Sequence, residues 1–142
     1  MNIPPLVLLE YQKSLIIAAL DYFSPNDLIS NAFGGQFGQS LSLWKEAAVE
    51  FLRVNIESGF IEFAKADKSL LPVDQQEFLC KLSQSNPHEN VELWMAVRFE
   101  STEKLNLLVA SHGLLSWESL HKELNKDFVD SVFKAYSKFR DG

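Results

Sequence analysis

Leu41 to Lys65 reads LSLWKEAAVEFLRVNIESGFIEFAK, and the order of its parts decides the fold. Leu41, Trp44, Ala48, Phe51 and Leu52 recur at helical spacing and mark a core-facing stripe. Leu43, Ala47 and Val54 widen that stripe, so the helix is expected to be covered on more than one side. Gly59 stands where the helix should stop, because glycine takes a positive φ without a Cβ clash. Phe60, Ile61 and Phe63 follow as a short, buried, extended run.

Working outward toward the N-terminus, Pro5 to Phe23 reads as a helix opened by proline. Leu6, Leu9, Lys13, Ile16, Leu20 and Phe23 would share one face. Val7, Leu8, Ile17 and Ala18 make the rest apolar too, which predicts deep packing. Ser24-Pro25-Asn26-Asp27 carries a capping residue, a first-turn proline and an acid three residues on, and predicts a short helix ending before Gly34-Gly35. The loop GGQFGQS, residues 34–40, lacks the lysine and the preceding strand of a phosphate-binding loop. It reads as a connector that exposes Phe37, a candidate partner contact.

Toward the C-terminus, residues 65–72 read as a loop. Asp74-Gln75-Gln76-Glu77 is a capping-box pattern for a helix to about Gln84, with Phe78, Leu79 and Leu82 inside. Asn86-Pro87-His88-Glu89 repeats the device. The helix after it should run to about Glu100 and bury Val91, Leu93, Trp94 and Val97. Thr102 to His112 predicts another helix, closed by Gly113. The apolar Leu107-Leu108-Val109 leaves open a short two-stranded element between 60–64 and 106–110. Ser116 opens a helix to about Asn125, with Leu120 and Leu124 inward. Asp127 to Phe139 is the last helix, with Phe128, Val129, Val132, Phe133, Tyr136 and Phe139 inward. The expectation is an all-α, single-domain bundle of about eight helices spanning residues 1–142.

Composition narrows the function classes. The apolar fraction is 46%, with 11 Phe, 3 Tyr and 3 Trp, which excludes disorder. The net charge is −6, and residues 1–100 carry all of the excess, with 13 acidic and 7 basic side chains. Such a domain repels phosphate backbones and attracts basic partners. One cysteine, Cys80, excludes an intrachain disulfide and fits a reducing compartment. Its neighbours Leu79 and Leu82 place it in the core. The apolar N-terminus is broken by Pro4, Pro5, Glu10, Gln12 and Lys13 before it could span a bilayer. A cytoplasmic chain away from membranes is expected.

The search for chemistry is negative. His88, His112 and His121 form no metal-ligand spacing with one another or with Cys80, so no metal or cofactor is expected. No nucleophile elbow is present, and Cys80 has no histidine close in sequence. Glu89 with Glu92, and Glu100 with Glu103, have a spacing that buried acid–base pairs use. Carboxylates at the start of a helix more often cap it. Leu114 to Tyr136 has the outline of a helix-turn-helix, with Lys122, Lys126, Lys134, Lys138 and Arg140 for phosphates. Glu118, Glu123, Asp127 and Asp130 are interleaved with them and oppose that use. A helical DNA-binding regulator is the alternative reading.

One family resemblance rests on two tracts. The first is Trp44, Phe51 and Leu52 running into Glu57-Ser58-Gly59-Phe60-Ile61-Glu62-Phe63-Ala64-Lys65. The second is Asp74-Gln75-Gln76-Glu77-Phe78. With these the chain resembles small bacterial immunity proteins that protect cells from contact-dependent growth-inhibition toxins. The resemblance implies an antitoxin rather than an enzyme, with a cognate toxin as partner, many such toxins being nucleases with basic clefts. An acidic helical surface can replace the phosphates of a nuclease's substrate with carboxylates. Two groups of candidate partner-binding residues follow from the charge: Glu57, Glu62 and Asp67, and then Asp74, Glu77, Glu89 and Glu92, with Phe37 beside them.

Overall fold

The computed structural model describes residues 5–29, 41–64 and 74–140. It is mostly helical. Helix α1 spans Pro5–Leu20, α2 Leu41–Glu57, α3 Gln75–Gln84, α4 Glu103–Ser111 and α5 Lys126–Arg140. Two short strands, β1 at Ile61–Phe63 and β2 at Phe99–Ser101, pair antiparallel.

The deciding stretch folds as its pattern dictates. Trp44, Ala48, Phe51, Leu52 and Val54 are all buried on α2. The helix ends in a Schellman turn: Phe60 N donates to Asn55 O at 2.9 Å and Gly59 N to Ile56 O at 3.1 Å. Gly59 has φ +76, the conformation that turn requires. The same device ends α4. Leu114 N donates to Val109 O at 3.1 Å, Gly113 N donates to Ala110 O at 3.0 Å, and Gly113 has φ +69.

The helix starts are satisfied in the same local way. Asp74 Oδ1 accepts from Glu77 N at 2.8 Å, as its capping pattern predicts. Asn125 Oδ1 accepts from Phe128 N at 3.0 Å and so opens α5 one residue earlier than expected. Phe128, Val129, Val132 and Tyr136 are the buried face of α5.

Three of the expected eight helices are not α-helices. Residues Pro25–Asp27 form a single 3-10 turn, closed by Ser24 N donating to Asp27 Oδ2 at 2.9 Å. Ile29 then takes φ +49, which ends any helical path within the described residues. The segment expected to run as a helix to Glu100 is a π turn over Glu92–Ala96 followed by β2. Trp94 is buried there, whereas Val91 is 49% exposed. Residues Trp117–His121 form a 3-10 helix, with Trp117 exposed.

The strand pairing corrects a second expectation. The partner of β1 is 99–101, not 106–110, which lies within α4. Phe23 is not on α1 either. It leaves the helix and exchanges backbone hydrogen bonds with Phe99, at 3.1 and 2.7 Å. Thus β2 is flanked on one side by β1 and on the other by Phe23. The inward rings of this strip pack together: Phe23 stacks on Phe99 at 5.7 Å, Phe63 lies tilted against Phe99 at 5.1 Å, and Phe78 of α3 meets Phe63 edge-on at 5.5 Å. Trp44 and Trp94 pack at 5.3 Å in the same continuous core.

Helix α1 is packed around much of its circumference, as its composition predicts. Val7, Tyr11, Leu15, Ile16 and Ala18 are buried, and so are the polar Glu10, Gln12 and Ser14. Leu9 and Lys13 of the expected inward face are only half-buried. Gln12 and Ser14 are there because backbone needs them. Ser14 Oγ accepts from Ile29 N at 3.1 Å, and Gln12 bonds the chain at 123 and 125.

Candidate functional site

The candidate residues fall on three parts of the surface. Glu57 is the last residue of α2 and is exposed. A carboxylate at a helix C-terminus faces the negative end of the macrodipole. The counter-charge comes from α4: Lys104 Nζ donates to Ser58 O at 2.7 Å and sits 5.0 Å from the centre of the Phe60 ring. Thr102 Oγ1 adds a bond to Gly59 O at 2.6 Å. The end of α2 and the start of α4 are therefore locked together beside Glu57.

Glu62 lies in the middle of β1, and the register sets it directly opposite Glu100 of β2. Their inward neighbours Phe63 and Phe99 are buried, so alternation turns both carboxylates outward. Backbone bonds on either side fix this register, from Thr102 N to Phe60 O at 2.9 Å and from Ala64 N to Arg98 O at 3.0 Å. The two glutamates thus occupy a hydrogen-bonded pair, with Cα atoms roughly 5.5 Å apart. Like charges so placed repel. No described cation makes a salt bridge to either carboxylate. On the neighbouring backbone Arg98 lies over the Tyr22 ring at 5.2 Å, and Tyr22 is 47% exposed.

The second acidic group is spread out. Asp74 spends an oxygen on the cap of α3, with Glu77 exposed in the first turn. Glu89 and Glu92 are exposed on the turn that Asn86 and Asn90 build. Asp67 and Phe37 lie outside the described residues. The structure brings Glu62 together with Glu100, a partner absent from the candidates. No local pattern marks it, because the pairing joins residues nearly forty positions apart.

The other chemical readings can be placed as well. Glu89, Glu92 and Glu103 are exposed, so neither spaced glutamate pair is enclosed in an apolar site. Among the described residues no three His, Cys, Asp or Glu side chains come close enough to hold a metal ion. His112 Nδ1 bonds Leu108 O at 2.9 Å and its ring meets the Phe128 ring edge-on at 5.5 Å, a structural role. Cys80 is exposed on α3, which corrects its placement in the core. The residues before α5 form a 3-10 turn rather than the first helix of a helix-turn-helix. No described helix is long and apolar enough to cross a membrane.

Two shallow clefts of about 370 and 440 Å³ lie along α2 and share Ser42 and Lys45. Lys45 Nζ donates to Ser83 O and Ser85 O, each at 3.1 Å, and so ties α2 to the end of α3. Comparison with protein-family models, with curated proteins and with solved structures finds no match for this chain.

Proposed function

We propose that this chain acts by binding, as an immunity protein that neutralises a cognate bacterial toxin. The partner that suits its charge is a basic domain, a nuclease above all, whose cleft an acidic surface would cover. The observation that carries this reading is the Glu62–Glu100 pair. The caps at Asp74 and Asn125 and the glycine stops at Gly59 and Gly113 follow their local rules. Opposed glutamates in a two-stranded sheet break such a rule at a cost to the isolated chain. Departures of this kind collect at functional positions. An arginine or lysine from a partner, set between the two carboxylates, would turn the repulsion into attraction.

Glu57 and Glu62 lie five residues apart on either side of the Schellman turn and would steer the same partner. The net charge of −6 supplies the long-range part of that steering. The exposed ring of Tyr22 would add an aromatic contact, the residue type that anchors interfaces.

The test is a pull-down from the native cell, followed by association kinetics. One basic protein should be recovered in equimolar amount. Reversing Glu57 and Glu62 to Lys should slow its association by roughly tenfold or more at low salt and leave the fold intact. An unchanged on-rate would remove this face from the reading. Recovery of DNA, with binding that weakens steeply as salt rises, would replace it with the DNA-binding one.

A further inference from the structure

We draw no further inference here: the strongest candidate, the cleft between α2 and the C-terminal end of α3 lined by Ser42, Lys45, Ser85 and Asn86, carries nothing, because Lys45, Ser85 and Asn86 already bond the backbone and Trp94 around them and nothing in the structure shows what ligand it would take.

Discussion

Tyr136 on α5 donates its phenolic hydrogen to Asn55 Oδ1 on α2 at 2.7 Å, inside the core. Asn55 in turn donates from Nδ2 to Phe51 O at 2.8 Å, which fixes the orientation of its amide. Burial holds the Tyr136 phenol well above its usual 10.0, and Tyr11 close by adds to the effect. The folded chain therefore keeps this proton at a pH where the unfolded chain releases it. Folded molecules then bind more protons than unfolded ones, so stability falls as pH rises past the ordinary tyrosine value. Tyr136→Phe leaves Asn55 Oδ1 buried without its donor, at a cost of about 1–3 kcal/mol near neutral pH. It also removes one source of alkaline destabilisation. Urea midpoints taken from neutral pH to about pH 11 should show the gap between wild type and variant narrowing with pH. Parallel curves would mean that the phenol titrates alike in both states.

Gln12 connects α1 to the start of α5 across more than a hundred residues. Its Nε2 donates to Glu123 O at 3.0 Å and its Oε1 accepts from Asn125 N at 2.7 Å. Asn125 then caps α5. Gln12→Met keeps the length of the side chain and orphans both backbone groups, for a loss of roughly 2 kcal/mol or more. Amide exchange should speed up at Asn125 and through the first turn of α5 before any global change. Unaltered protection there would show that the first turn of α5 is held without Gln12.

Cys80 gives a faster check on the orientation of α3. Phe78, Leu79 and Leu82 fall within one sector of the helix and are buried. At about 100° per residue, Cys80 points to the opposite side. A thiol reagent should modify it in the native protein at close to the rate seen in denaturant, and Cys80→Ser should shift stability by no more than about 0.5 kcal/mol. Labelling that waits for unfolding would place this face of α3 against something.

The helix wheel of α3 carried that information all along. Proximity in sequence to Leu79 and Leu82 is a poor guide, because at about 100° per residue Cys80 is turned away from both around the helix. Local rules served well elsewhere. The stripe through Trp44, the stop at Gly59 and the cap at Asp74 are decided by residues within one or two turns of one another. What local rules cannot reach is β2. Phe99-Glu100-Ser101 is too short to show alternation, and its identity as a strand comes from β1 and Phe23, far away in the chain. The π turn before it follows the helical pattern only until that pairing takes over. Ile29 is similar. A β-branched residue at φ +49 is disfavoured locally. It is held there by Ser14 and by burial of its side chain. The candidate site inherits the same limit: Glu62 was visible as one acid among several, and Glu100 as its partner was not.

Glu62 and Glu100 offer the sharpest contrast between stability and binding. Each faces a like charge across the sheet, so neutralising either one should stabilise the isolated protein. Glu62→Gln is expected to raise stability by about 0.2–1 kcal/mol at low salt, and Glu100→Gln by a similar amount. The double variant should gain little beyond either single one, because the first change already removes the repulsion. Added salt should shrink all three gains, since charges on the outer face of the sheet are screened. With a basic partner present the sign should reverse, the more stable variants binding more weakly. Denaturant midpoints of the four proteins at two salt concentrations, beside their association rates, measure both halves. A Glu62→Gln protein that is less stable than wild type would show the carboxylate serving the fold, and the sheet would lose its standing as a binding face.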